Sequence, residues 1–582
     1  MNISEQRVHE KQRHENIDRT DAANGSLQLK EIDNSLTGNN ELSKSEAPEL
    51  FTGDLEAAID NHDQLSRYDS NAHISRSLSR RFTGAESLIS RAQESKEPMP
   101  TMGGGRDLPP QLPDSELYIV LYDGDDDPTH PYQWSSLRKI FVCAVSAISA
   151  LSVTMGSSMY SQGQSQIMDK FHIGREVATL GTTLFVLGFA TGPVVWGPFS
   201  ELYGRKIVMI CSNIGFISFA FGVAVAKDIQ TVMLCRFFGG CIGAAPIVVA
   251  PAILSDLFTP LRRGQAMAIF ALVLFGGPMV GPVIAAFATK NQHLGWRWTS
   301  YISAFISCLG LVLVVFLLPE TSHPALLVGK AEELRRRTGN WGIHAAHEEV
   351  SLSPKEIVEK TISRPLVMLL REPILFLITL YNAFIYGLLY LLLTAIPLIF
   401  QGKYKWKMGI DVLPYLGVLV GTAVGAVINV IIEGLTAKRL AKTGGKYVAE
   451  YRLLPMMAGS FPFCGGLFWL CWAGNYGNKV HWIVPTIGGS FVGCGLLLIF
   501  LPCLNYIIDC YLFFAASAIA GNTFLRSIFG GVFPLFGYQM FTKMHINWAG
   551  TLLGCVAAIL IPVPFMFYKW GHIIRAKSAY AT

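Results

Sequence analysis

Residues 187–206 read LGFATGPVVWGPFSELYGRK. From Gly188 to Ser200 the stretch is small and apolar and carries no charge. Glu201, Arg205 and Lys206 then gather around Gly204. An uncharged run closing in a short turn of mixed charge predicts a membrane helix leaving the bilayer. The pairs Gly197-Pro198 and Tyr203-Gly204 predict a tight turn between two closely packed helices.

The rest of the chain fits a bilayer. Of its 582 residues, 51% are apolar and 15% charged, and the mean hydropathy is +0.37. That is too apolar for a soluble enzyme. The apolar residues fall into runs of about 20, each able to cross a hydrocarbon core of about 30 Å. The net charge of +5 needs no nucleic-acid partner, because surplus Lys and Arg belong to cytoplasmic loops. The eleven cysteines lie in or beside apolar runs without metal-ligand spacing and read as small, reduced core residues. The first apolar run starts near Lys139, so no cleaved secretory signal is expected.

Residues 1–137 are predicted to be a disordered cytoplasmic tail, too polar to offset the entropy of ordering. Within it, Ser77, Ser79 and Thr83 stand beside arginines, a pattern suited to regulation by basophilic kinases. The tail ends in DGDDDPTHPYQWSSLRK, residues 123–139. Asp126 and Asp127 read as a solvated acidic face. Trp134 reads as an interfacial anchor, with Arg138 and Lys139 marking the start of the first span.

Six spans are predicted near 140–160, 179–196, 207–226, 231–252, 266–288 and 299–318, and six more near 373–400, 412–432, 453–473, 482–503, 513–539 and 548–568. Residues 138–318 and 373–568 thus form two six-helix halves, joined by a polar loop at 319–372 and followed by a tail at 569–582. The loop holds a short basic amphipathic helix near 326–338 and a capped helix start at Ser353. His344, His347 and Glu348 find no further ligands nearby, so neither a metal nor a cofactor is implied. Arg205-Lys206, Arg262-Arg263, Arg335 to Arg337 and Lys438-Arg439 share loop parity with the tails, which places both termini in the cytoplasm.

Several separate motifs carry a resemblance. Gly197, Glu201, Gly204, Arg205 and Lys206 resemble the loop signature between helices two and three of the major facilitator superfamily, with glutamate in place of the commoner aspartate as in the fungal drug:proton antiporters. Arg236 and Gly240 are similar to the superfamily's R-x-x-x-G motif. Gly277, Pro278, Gly281 and Pro282 are expected to kink the fifth helix; they resemble the antiporter signature, with Ala285-Ala286 replacing its usual Gly-Gly. The acidic lead-in before Trp134, Trp296-Arg297-Trp298, Pro319-Glu320-Thr321, the run Tyr381 to Tyr390 and Asn505 to Asp509 also match the fungal group. The resemblance implies an all-α membrane protein of twelve helices, the major facilitator fold. It implies alternating access and exchange of a small molecule for protons, with 197–206 as a cytoplasmic latch.

Charges inside a bilayer are costly and mark functional candidates. Arg236 is tied by the resemblance to proton coupling or to holding the bundle; a snorkelling arginine near a helix end is the alternative. Asp256 and Glu433 read as helix-end or latch charges. Arg526 is predicted to face protein or a water-filled cavity, with a tertiary partner favoured over Asp509. Glu201 is expected to meet a helix N-terminus or an arginine of the other face. No span carries a carboxylate near its middle, so a neutral or anionic compound suits the cavity better than a dication. Tyr381, Asn382, Phe384, Tyr386, Tyr390, Asn522 and Trp482 are its expected lining. The reading is a monomeric plasma-membrane exporter of drugs, toxins or metabolites. A polyamine exporter, a nutrient importer of the same fold and a vacuolar location are the alternatives.

Overall fold

The computed structural model describes residues 118–582, except 124–126, 128, 292, 350–362, 443–448, 512–513, 577, 579, 581 and 582. The predicted kinase sites, Asp126 and the helix start at Ser353 lie outside the described residues.

The first half contains α1 (Ser136–Met159), α2 (Arg175–Leu202), α3 (Arg205–Val225), α4 (Ile229–Leu257), α5 (Pro260–Lys290) and α6 (Arg297–Leu317). The second contains α7 (Pro373–Pro397), α8 (Tyr415–Lys442), α9 (Leu454–Asn475), α10 (Ile483–Cys510), α11 (Ala515–Lys543) and α12 (His545–Arg575). Eleven are long and apolar enough to cross a membrane. The other, α11, carries Asn522 and Arg526, which dilute its apolar character. Its 29 residues rise about 1.5 Å each, still enough to span.

Packing follows a repeat of six helices. In the first half α1 packs on α5, α2 on α4, and α3 on α4 and α6; in the second α7 packs on α11, α8 on α10, and α9 on α10 and α12. The halves meet along α2–α11 and α5–α8, one contact being the repeat image of the other. Glycines set the closest approaches. A Cβ on Gly240 of α4 would strike the Phe185 carbonyl of α2, and one on Gly421 of α8 would strike the Ser490 carbonyl of α10. With no driving force from water between helices in lipid, such backbone proximity supplies the van der Waals contact that holds them.

The antiporter motif behaves likewise. Instead of breaking at the expected kink, the fifth helix continues through Pro278 and Pro282 as one helix, Pro260–Lys290. Added Cβ atoms on Gly277 and Gly281 would meet Thr154 and Ser158 of α1, and Ala285 and Ala286 are buried. Two cysteines depart from the expected core placement: Cys211 and Cys555 are exposed.

At the end of the bundle that bears the termini, the lead-in segment and the central loop form a clasp. The helix His323–Thr338 fits the predicted amphipathic element. Ile119 pairs with His344 as a parallel bridge, and Val120 is buried with Ala331 and Ala345. Lys330 Nζ lies 2.9 Å from Asp123 and 3.6 Å from Asp127. Asp127 is not on a solvated face. It is buried and accepts from the Thr129 hydroxyl and from the amides of Thr129 and Asp123. These bonds hold its carboxyl well below the usual carboxylate range. Trp134 is likewise no interfacial anchor. It is buried with Val142, Ile253 and Leu257, under the Arg138 guanidinium at 3.9 Å.

Candidate functional site

The loop signature folds differently from its expected use. The α2 helix continues through Gly197 and Pro198 to Leu202, and an added Cβ at Gly197 would meet nothing within 4 Å. Only Gly204 makes the turn, at φ +88°, a conformation that excludes most side chains. Glu201 is exposed and makes no hydrogen bond or ion pair among the described residues. The carboxylate at the helix N-terminus belongs to Glu320. It accepts the amides of Arg205 at 2.9 Å and Lys206 at 3.1 Å, and those of Thr321 and Ser322 at 2.9 Å. Two of these four donors, the amides of Arg205 and Lys206, belong to the first turn of α3, whose dipole the carboxylate complements. Sequence reasoning assigned this capping to the nearer acid.

Arg205 then turns its side chain to α4. Its Nε lies 3.0 Å from Asp256, and its Nη1 donates to the Ser200 hydroxyl at 2.8 Å. The second half repeats the arrangement. Arg452 lies 3.0 Å from Asp509 of α10 and 3.3 Å from Glu433 of α8, while Asn505 Nδ2 donates to Glu433 at 3.3 Å. Asp256, Glu433 and Asp509 therefore sit in helix-end clusters, and Asp509 partners Arg452 rather than Arg526.

Arg236 is 5% exposed and does not snorkel. It donates to the carbonyls of Gly181 at 2.9 Å, Gly156 at 2.8 Å and Ser157 at 3.2 Å. Its guanidinium also lies over the Tyr160 and Phe185 rings. One side chain thus binds α1, α2 and α4 together.

A narrow crevice lies between the halves. Phe189 and Pro193 of α2, Ile247 of α4, Tyr386 of α7, and Thr523 and Arg526 of α11 line it. Tyr386 packs on Tyr390, whose hydroxyl lies 3.0 Å from that of Ser157 on α1. Asn382 Nδ2 donates to Asn522 Oδ1 at 3.0 Å, and Asn522 Nδ2 to Thr379 at 3.3 Å, so these amides tie α7 to α11. Phe384 packs on Phe533 of α11. Of the seven expected lining residues, Tyr386 alone is among those that line this crevice. Tyr381 is fully buried, with its neighbours Cys464 and Cys503 inside the second half. Trp482 is 41% exposed and packs its ring at a tilt beside Trp406 at the helix end.

Away from the termini the halves are tied across α2 and α11. Thr183 donates to the Gly531 carbonyl at 2.8 Å, Gln539 to Glu176 at 3.0 Å, and Arg175 covers the Tyr538 ring at 3.9 Å. At the other end of α2, Phe199 and Glu201 are exposed.

Residues 146–534 match the family model described as Major Facilitator Superfamily. The chain belongs to the Major Facilitator Superfamily. Among similar superfamily members is the multidrug transporter FLU1 of Candida albicans, 57% identical over 519 residues, 89% of this chain and 85% of that protein. The multidrug transporter TPO1_2 of Candida glabrata is 48% identical over 522 residues, 90% of each chain. The superfamily fold also aligns with the xylose transporter XylE from E. coli in a partially occluded inward open conformation. That match has a TM-score of 0.51 at 16% identity, over 75% of this chain and 98% of that one.

Proposed function

We propose that this chain is a proton-coupled antiporter that exports small organic compounds, such as drugs, toxins or secondary metabolites, by alternating access. The observation that carries the reading is the 57% identity over 89% of the chain to a protein named as a multidrug transporter. The geometry supports it. The crevice lies where the two repeats meet, as a rocking mechanism requires. Its far end is tied by the α2–α11 contacts, in keeping with entry of a compound from the terminus-bearing side.

That side is the cytoplasm. Arg205, Lys206, Arg335 to Arg337 and Arg452 all cluster there, in keeping with the charge bias of cytoplasmic loops. The Arg205–Asp256 and Arg452–Asp509 clusters are the cytoplasmic gates, and their carboxylates, with Glu433, are the candidates for the coupling proton. The protein works as a monomer in the plasma membrane, and its tail receives kinase control at Ser77, Ser79 and Thr83.

The test is accumulation of labelled neutral, cationic and anionic compounds in a fungal host stripped of its own drug pumps, with and without a protonophore. Lowered accumulation that the protonophore abolishes supports the reading. Entry of a nutrient with no export of any compound overturns it. A fluorescent fusion locates the protein at the plasma or the vacuolar membrane.

A further inference from the structure

Two arginines are buried in the bundle, and their surroundings differ. Arg236 spends its donors on three carbonyls. Arg526 has no hydrogen bond or ion pair among the described residues, although it is only 6% exposed, and its Nε is buried without a partner. It stands eleven residues into α11, about 17 Å along the helix and so deep in the bilayer. Its guanidinium has only the faces of Tyr386 and Phe500, each 5.1 Å away, and it opens onto the crevice between the halves.

No described acid is near enough in depth to balance it. The carboxylates on the spans stand at helix ends: Glu176 and Glu201 on α2, Asp256 on α4, Glu433 on α8 and Asp509 on α10. Asp256, Glu433 and Asp509 are taken by Arg205 and Arg452, and Glu176 by Gln539. Removing a charge from water without a counter-ion costs several kcal/mol. A guanidinium is also a planar fork shaped to bind a carboxylate through two hydrogen bonds. Apart from Thr523, the remaining walls, among them Phe189, Pro193, Ile247 and Tyr386, are apolar or aromatic.

We infer that Arg526 is an anion-binding subsite of the central crevice, which receives the carboxylate of a small organic acid while the apolar walls receive its hydrocarbon body. This deepens the exporter reading and rests on it. The same charge repels a polyamine, which would enter a site already carrying a positive group.

The probes are 2-naphthoate and its neutral counterpart 2-naphthamide, which differ chiefly in charge. Purified full-length protein is titrated with each, and inside-out vesicles are assayed for uptake of each at neutral pH under an imposed proton gradient. Wild type is expected to bind and move 2-naphthoate in preference to 2-naphthamide. In Arg526→Gln the naphthoate-to-naphthamide ratio should fall about tenfold or more, the scale of a charge-assisted hydrogen bond, with Arg526→Lys between the two. Wild-type competition stands apart from any folding defect in the variants: 2-naphthoate should displace a neutral exported compound at lower concentration than 2-naphthamide. Preference for 2-naphthamide in wild type, or an unchanged ratio in a folded Arg526→Gln, overturns the subsite and leaves the exporter reading in place. Arg526-dependent binding of 2-naphthoate without uptake of any compound supports the subsite and overturns the exporter reading instead.

Discussion

The Glu320 carboxylate accepts the backbone amide of Arg205 at 2.9 Å, across 115 positions of sequence. It fixes the first turn of α3 and the direction in which the Arg205 side chain leaves it. Loss of such a cap costs about 1 kcal/mol, and more where the acceptor is charged and serves several donors. Glu320→Ala should therefore lower the melting temperature of the purified protein and reduce export. Glu201→Gln should leave the melting temperature within error, because nothing described rests on Glu201. Equal effects from the two would mean that the assignment of the cap is wrong.

Arg205–Asp256 and Arg452–Asp509 occupy repeat-related places, although Arg452 also meets Glu433. Arg205 and Asp256 side chains are 12% and 13% exposed, which leaves a coupling of about 1–2 kcal/mol after solvent screening. A double-mutant cycle with Arg205→Gln and Asp256→Asn should recover that coupling, with the double variant more stable than the sum of the singles predicts. Additive losses would show that each residue acts through other neighbours.

Two glycines give opposite expectations for one substitution. Gly197→Ala faces open space and replaces a poor helix former, so it should be neutral or stabilising by up to about 1 kcal/mol. Gly240→Ala drives a methyl into the Phe185 carbonyl and should separate α2 from α4, with loss of expression or a melting temperature many degrees lower. Fluorescence size-exclusion of the two variants settles the matter.

The clasp should loosen in acid. Burial depresses the His323 pKa below its ordinary value, an effect opposed by Asp256 and reinforced by His130 and Arg205. A histidine with a lowered folded value holds full stability above its unfolded pKa of about 6.5, and stability is lost as pH falls below that. Hydrogen exchange in residues 118–122 and 323–338 should therefore speed up between neutral pH and about pH 5.5, and His323→Gln should flatten the profile. Unchanged protection across that range would rule out this linkage.

The sequence made the twelve-helix fold legible because apolar runs of bilayer length are a one-dimensional signal. Even α11 was visible, since Arg526 interrupts its apolar pattern without shortening it. The packing faces of Gly277 and Gly281 were legible for the same local reason. The Glu320 cap was not, because its partners lie far off in sequence and a nearer acid, Glu201, offered the same chemistry. Trp134 misled because a tryptophan beside a basic pair fits an interface equally well until α4 packs over it. Tyr381 and Tyr386 share one helix, yet Tyr381 lies inside the second half and Tyr386 lines the crevice. The apolar character of the run is uniform, and only the neighbouring helices distinguish its sides.

The pairing of the lead-in segment with the central loop bears on how the protein is made. Tyr122 leaves the ribosome 201 residues ahead of His323, its hydrogen-bonding partner. Until the sixth helix has been made, residues 118–122 lack their partners in the central loop. Closure of the clasp thus requires that the chain be made through the sixth helix and into the central loop.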